Sequence, residues 1–399
     1  MKGSEEILAR QKTRVRFRSG DMDFIFSYML GVADLLGAHG PLFAAAGKVR
    51  DASASDWRRE FFGLADRAHR HAGEAGGDEE ARQWALTDCY ANRAGLQFTD
   101  PTTAEFGERW QRMEDAFMQA MRRWQAPVTA IEVPFETGSL PGYLLKLDDE
   151  PRPAIVMIGG GDTSREDLFV FGGLPAWQHG FNAIMVDLPG QGKAPSRGLT
   201  YIADMQRPIA TVVDRLFAEI PSTTRLAAYG VSGGGYFSCQ AVASDPRIDA
   251  WIAATPIFDI ADVFRKEFGA ALQVPGRLQQ LLIGIAGRVN EAADINLKRY
   301  AFQFGTSDFV TAVTEVLRRV NPVDLTTIDT PALFLYSAGE GDELRRQTEV
   351  AEAILIERGV PVTVRCFSAV DGADAHCQVN NLRLAHAIIF DWLGERFVA

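Results

Sequence analysis

The chain reads as an α/β protein: an eight-stranded, mostly parallel sheet with an N-terminal helical domain and a helical cap inserted late in the sheet. Three observations predict this. After residue 127, short apolar runs of β-branched character alternate with helix-like segments, the pattern of a parallel sheet covered on both faces. Residues 1–126 carry helical periodicity instead. Residues 260–325 form a further helical stretch, longer than a crossover between two strands needs. The 399 residues therefore divide into an N-terminal helical domain (1–126), a first part of the core (127–259), a cap (260–325) and a second part of the core (326–399).

In the N-terminal domain, segments around Phe24–Leu36, Trp57–Ala72 and Glu79–Gly95 are helix-like, with Gly73 to Gly77 separating the last two. The clearest helix follows Asp100-Pro101. Phe106, Trp110, Met113, Phe117, Met121 and Trp124 recur at steps of three and four, which is one face of a helix. Thr102 or Thr103 caps it, and Glu105 suits the positive end of its dipole. Thr129–Pro134 and Leu140–Leu147 read as a hairpin. Six more strands follow: Ala154–Ile158, Asn182–Val186, Leu226–Val231, Trp251–Ala254, Ala332–Tyr336 and Val362–Phe367. The inserted stretch includes helical patterns at Leu278–Val289 and Phe309–Val320. An insertion there lies over the C-terminal ends of the strands, where ligands bind in open α/β sheets.

The bulk chemistry excludes several classes. A net charge of −11 argues against nucleic acid, whose backbone demands a basic face. Cys89, Cys239, Cys366 and Cys377 are scattered without a C-x-x-C pair or a zinc spacing, so neither disulfides nor a metal site is expected. The first residues lack the apolar core of a signal peptide, and no run reaches membrane-span length. The expectation is a cytoplasmic protein with a small-molecule substrate and no cofactor.

The chemistry centres on Ala227-Ala228-Tyr229-Gly230-Val231-Ser232-Gly233-Gly234-Gly235-Tyr236, an apolar strand running into Gly-x-Ser-x-Gly and then a helix. That is the nucleophile elbow of an α/β-hydrolase, with Ser232 as nucleophile. Chain order in that fold is serine, acid, histidine. Of six histidines, His376 alone lies in a loop directly after the last strand, which makes it the base. Asp342, just beyond the seventh strand, is the preferred acid; Glu340 is two residues away, and Asp259 after the sixth strand is a further alternative. The oxyanion donors are the Gly233 N–H and one from Gly159-Gly160-Gly161, with Gly161 or Gly160 preferred. Both phosphate-binding glycine patterns are absent. The Asp187–Gly192 turn shapes the pocket and receives no chemistry.

With these residues the chain resembles the α/β-hydrolase branch of 2,6-dihydroxypseudooxynicotine hydrolase, the fungal yellowish-green heptaketide hydrolases and the fermentation–respiration switch proteins. The resemblance rests on the helical N-terminal region, on Val133-Pro134-Phe135 with Leu140-Pro141-Gly142-Tyr143, on Gly159-Gly160-Gly161-Asp162, on Asp187–Gly192, on the elbow and on His376-Cys377. It implies hydrolysis of an acyl bond, in some members a carbon–carbon bond beside a ketone on an aromatic or polyketide substrate. It also implies a homodimer in which residues 1–126 help close the pocket. Gly161, where relatives tend to carry a bulkier residue, and a longer cap depart from the pattern. Acyl transfer or cyclisation by the same triad is the alternative chemistry, and a regulatory binding protein the non-catalytic one.

Overall fold

The computed structural model describes residues 10–272 and 291–397. Five helices come first: α1 (Gly20–Asp34), α2 (His39–Ala46), α3 (Ala54–Glu74), α4 (Asp78–Gln97) and α5 (Ala104–Trp124). Side-chain caps start three of them. Ser19 accepts the Met22 N–H, Ser53 that of Asp56 and Thr103 that of Phe106, each satisfying a donor the first turn leaves free. The aromatic face of α5 turns inward, where Phe106, Trp110, Met113, Phe117 and Met121 are buried. Phe117 stacks on Tyr143 at 4.9 Å and meets Phe169 edge-on at 5.3 Å. The stripe is thus covered within the chain.

The sheet comprises β1 (Val128–Phe135), β2 (Gly138–Leu145), β3 (Arg152–Ile158), β4 (Asn182–Val186), β5 (Thr223–Val231), β6 (Ala250–Ala254), β7 (Ala332–Ser337) and β8 (Val362–Phe367). These lie in the order β1-β2-β4-β3-β5-β6-β7-β8. β2 runs antiparallel to β1 and β4, and every later pair is parallel. The two-residue period of a strand divides the apolar runs between two cores. Ile155 and Met157 of β3 join the core that α1–α5 and the C-terminal helix Leu382–Phe397 complete. Ala154, Val156 and Ile158 face the other, with Ile209, Val212 and Leu216 of helix Gln206–Glu219. The N-terminal helices therefore share one core with the sheet.

Between β6 and β7, helices Ile260–Leu272, Glu291–Phe304 and Phe309–Arg319 form the described part of the cap. The expected helix at Leu278–Val289 lies outside the described residues. The cap is tied to the N-terminal helices. Glu291 accepts from Arg58 at 2.8 Å and from the Ser55 N–H at 3.1 Å, and Lys298 pairs with Asp100 at 3.1 Å. Among the described residues, no helix is long and apolar enough to cross a membrane.

Phe117 joins α5 to the sheet with no exposed surface. Phe117→Ala should lower unfolding free energy by about 3–5 kcal/mol, read from a denaturant titration, because α5 and β2 are too well tied to collapse into the void.

Candidate active site

Five strand ends build the site. β5 ends at Val231, helix Gly234–Val242 begins three residues later, and Ser232 between them sits at φ 57°. That is left-handed backbone, costly for a residue with a Cβ. The turn is possible because its neighbours have none. A Cβ on Gly230 would stand 2.3 Å from the Gly234 carbonyl oxygen, one on Gly234 2.1 Å from that of Ile158, and one on Gly235 2.0 Å from that of Thr255. The glycines let the elbow backbone lie against β3 and the end of β6. The Ser232 N–H donates to the Ala254 carbonyl of β6 at 3.1 Å, fixing the serine's height above the sheet.

His376 arrives from the loop after β8. Its Nε2 lies 2.9 Å from Ser232 Oγ, and its Nδ1 2.5 Å from Oε1 of Glu340. Its backbone N–H donates to the Arg10 carbonyl at 2.6 Å, and its ring lies 6.0 Å from that of Phe24 in α1. The N-terminal region is thus part of the site's wall. Burial opposes a charge on the imidazole, but the adjacent Cys377 sulfur and the Glu340 carboxylate outweigh it, and the His376 pKa is raised.

The acid position differs from expectation. Asp342, the preferred candidate, opens helix Asp342–Glu357, where its exposed carboxylate accepts from Arg345 at 2.9 Å. It does not face His376. The reason is a tight turn at the end of β7: the Glu340 N–H donates to the Ser337 carbonyl at 3.0 Å, and Glu340 Oε2 accepts the Ser337 N–H at 2.7 Å. The turn folds the Glu340 side chain back over the strand end, and the longer side chain spans to the imidazole. Asp259 caps the first cap helix by accepting the Asp262 N–H at 2.9 Å, so it too stands outside the site.

One participant escaped the sequence reading. Thr255, the residue after β6, is fully buried, and its hydroxyl donates to the same Glu340 Oε1 at 2.5 Å. The available signal was a polar residue closing an otherwise apolar strand beside the elbow strand.

Opposite Ser232, Gly233 and Gly161 come together. A Cβ on Gly233 would lie 3.8 Å from the Gly161 nitrogen, and one on Gly160 would lie 2.8 Å from the Gly233 nitrogen. Two backbone donors beside a serine oxygen are the arrangement that receives an oxyanion. The loop carrying them is pinned from outside. The Gly160 carbonyl accepts from Thr163 Oγ1 at 3.3 Å and the Tyr201 hydroxyl at 3.4 Å, the Gly161 carbonyl accepts from Gln303 of the cap, and that of Gly159 from Gln191. The Asp187–Gly192 turn thus supports this loop. Above lies a cavity of about 410 Å³ whose lining includes Ser232, Gly161, Gly233 and His376. Phe264, Phe268, Tyr300, Phe304 and Phe309 of the cap form much of its wall, with Tyr201 and Phe237 from the core. Arg10, Asp162 and Arg299 give it one polar side, with Asp162 pairing to Arg299 at 3.3 Å and to Arg10 at 3.6 Å.

Comparison with known proteins finds hydrolases over nearly the whole chain. The chain is 25% identical to the hydrolase LUC6 of Fusarium sp over 96% of its own length and 97% of that protein's. It is 25% identical, with the same coverage, to the 20-hydroxy-prefusarin hydrolase FUS2 of Gibberella moniliformis. The crystal structure of 2,6-dihydroxy-pseudo-oxynicotine hydrolase superposes with a TM-score of 0.67 at 16% identity, covering 91% of this chain and 94% of that one. The chain has the α/β-hydrolase fold. The hydrolase family described as serine aminopeptidase S33 matches residues 174–338, which include Ser232 but stop before Glu340 and His376.

Two neighbouring glycines should respond differently to a methyl group. On Gly160 it would stand 2.7 Å from Ser232 Cβ, whereas on Gly161, among the described residues, it meets only the Tyr201 hydroxyl at 3.9 Å. Gly160→Ala should cut kcat by roughly 100-fold or more, as loss of an oxyanion donor does, while Gly161→Ala stays within about threefold of wild type on a small aryl ester.

Proposed function

We propose that the protein is a serine hydrolase that cleaves an acyl bond, an ester or a carbon–carbon bond beside a ketone, of an aromatic or polyketide-like small molecule. The observation that carries this is the hydrogen-bonded chain from Ser232 through His376 to Glu340 at the floor of an aromatic-lined cavity. His376 Nε2 takes the Ser232 proton as Oγ attacks the carbonyl carbon, and Glu340 holds the Nδ1 proton so that Nε2 is the free base. The N–H groups of Gly161 and Gly233 receive the oxyanion. His376 then protonates the leaving oxygen or carbon, and water, activated by the same imidazole, releases the acid from Ser232. A carbon leaving group must be delocalised by a neighbouring carbonyl or phenol, which suits an aromatic or polyketide skeleton. Aromatic cap walls suit the same skeleton, and relatives named for 20-hydroxy-prefusarin and 2,6-dihydroxy-pseudo-oxynicotine support it.

The assignment makes separable demands on an activated aryl ester assay. Ser232→Ala should abolish turnover while thermal unfolding stays near wild type. Glu340→Gln should lose roughly 100- to 10,000-fold in kcat by favouring the wrong imidazole tautomer, whereas Asp342→Asn should be nearly silent. Equal loss in both acid variants would contradict the assignment.

The pH dependence has a definite sign. The base must be neutral, so kcat/KM rises with pH as His376 loses its proton. The raised His376 pKa places that rise above the ordinary imidazole value of about 6.5. Glu340→Gln removes an anion that stabilises the imidazolium, so its residual activity should rise at lower pH than wild type does. A kcat/KM profile of each enzyme checks the direction.

A further inference from the structure

We infer that Thr255 is a positioning residue of the triad, whose hydroxyl aims the Glu340 carboxylate at His376. This inference rests on Glu340 being the triad acid. Glu340 is buried, with a side chain only 1% exposed, so its oxygens need hydrogen-bond donors from the protein. Three donors meet that need. Ser337 N–H serves Oε2 at 2.7 Å, while His376 Nδ1 and Thr255 Oγ1 both serve Oε1 at 2.5 Å. Two of the three are fixed by the turn and by the catalytic ring. Thr255 supplies the third from another strand.

Its backbone shows how firmly it is held. Thr255 has φ 85°, a conformation that a β-branched residue rarely adopts. Its N–H donates to the Leu335 carbonyl of β7 at 2.8 Å, and its carbonyl lies against Gly235 of the elbow helix. The strained residue thus touches both the strand that delivers the acid and the helix that follows the nucleophile. Its hydroxyl lies 3.3 Å from His376 Nδ1 and 3.9 Å from Cys377 Sγ, with no solvent contact.

The ionisable groups around the pair are few in kind. Cys377 borders Thr255, Tyr229 of β5 lies near the Cys377 sulfur, and Arg10 approaches from the N-terminal segment through its carbonyl. The Asp374 carboxylate is engaged by Asn380 at 3.0 Å and Thr13 at 3.4 Å. Against this fixed background, removing the Thr255 hydroxyl destabilises the state in which Glu340 is charged and His376 neutral. The same loss matters less when the imidazolium is present to compensate. The proton affinity of the pair therefore rises.

The test is a kcat/KM profile of Thr255→Val, Thr255→Ser and Thr255→Ala beside wild type and Ser232→Ala. Valine keeps the branch and the backbone cost and deletes only the hydroxyl. Thr255→Val should lower kcat by about tenfold and move the acidic limb up by roughly one pH unit, opposite in direction to Glu340→Gln. Thr255→Ser should restore both. If valine does not fold, alanine against serine makes the same comparison. Unchanged kcat and limb in the hydroxyl-free variants, or equal losses in serine and alanine, would overturn the role of Thr255 provided Ser232→Ala is inactive. Full activity in Ser232→Ala would instead overturn the triad itself.

Discussion

Everything at this site depends on a backbone constraint at one residue. Ser232 occupies left-handed φ/ψ space, and it is held there because three neighbouring backbones press against the turn. Ile158 of β3, Ala254 of β6 and Thr255 just beyond it each contact the elbow directly. The strain is stored locally and offset by the sheet, whose parallel pairing fixes the heights of β3, β5 and β6 relative to one another. Once those heights are set, the glycine loop after β3 and the polar residue after β6 fall on opposite sides of the serine. One side presents the glycine backbone and the other leads to Glu340 and His376.

Around that centre, charge fixes the N-terminal helices to the sheet. Arg93 of α4 pairs with Asp167 at 2.8 Å, almost without solvent. Glu114 of α5 holds both Arg165 and Lys193. Asp187 accepts the backbone N–H groups of Arg165 at 2.8 Å and Lys193 at 3.0 Å, while Tyr143 donates to Glu166 at 2.7 Å. Burying so many charges costs solvation, and it is recovered only where each ion keeps its partners, so such a network favours one arrangement over near alternatives. Here that arrangement places Arg10 and Phe24 beside His376 and sets the Asp162 side of the cavity. The helical region therefore forms part of the wall of the candidate site.

Most of the fold was legible because its signals are local. Apolar runs bounded by turn residues located all eight strands, and the aromatic spacing from Phe106 to Trp124 located α5. The elbow and His376 were legible for a different reason: chain order and strand adjacency limit where each can stand. The Glu340 position was not, since Glu340 and Asp342 both stand just beyond β7, with Glu343 next to them, and the choice turns on how the chain bends there. The Ser337–Glu340 hydrogen bonds decide it, and nothing in residue type announces them. Thr255 was illegible in the same way, because its role is set by contact with residues 85 and 121 positions away. The pinning of the Gly161 carbonyl by Gln303 likewise joins loop and cap across a long stretch of chain.

The central claim is that Ser232 is the activated nucleophile of a relay completed by His376 and Glu340. Labelling with a fluorophosphonate, which reports nucleophilicity without requiring the natural substrate, tests it most directly. Intact-mass and peptide analysis should show one adduct per chain, on Ser232, forming far more slowly in His376→Ala and Glu340→Gln than in wild type. An adduct on any other residue, or a Ser232 labelling rate indifferent to both substitutions, would contradict the account.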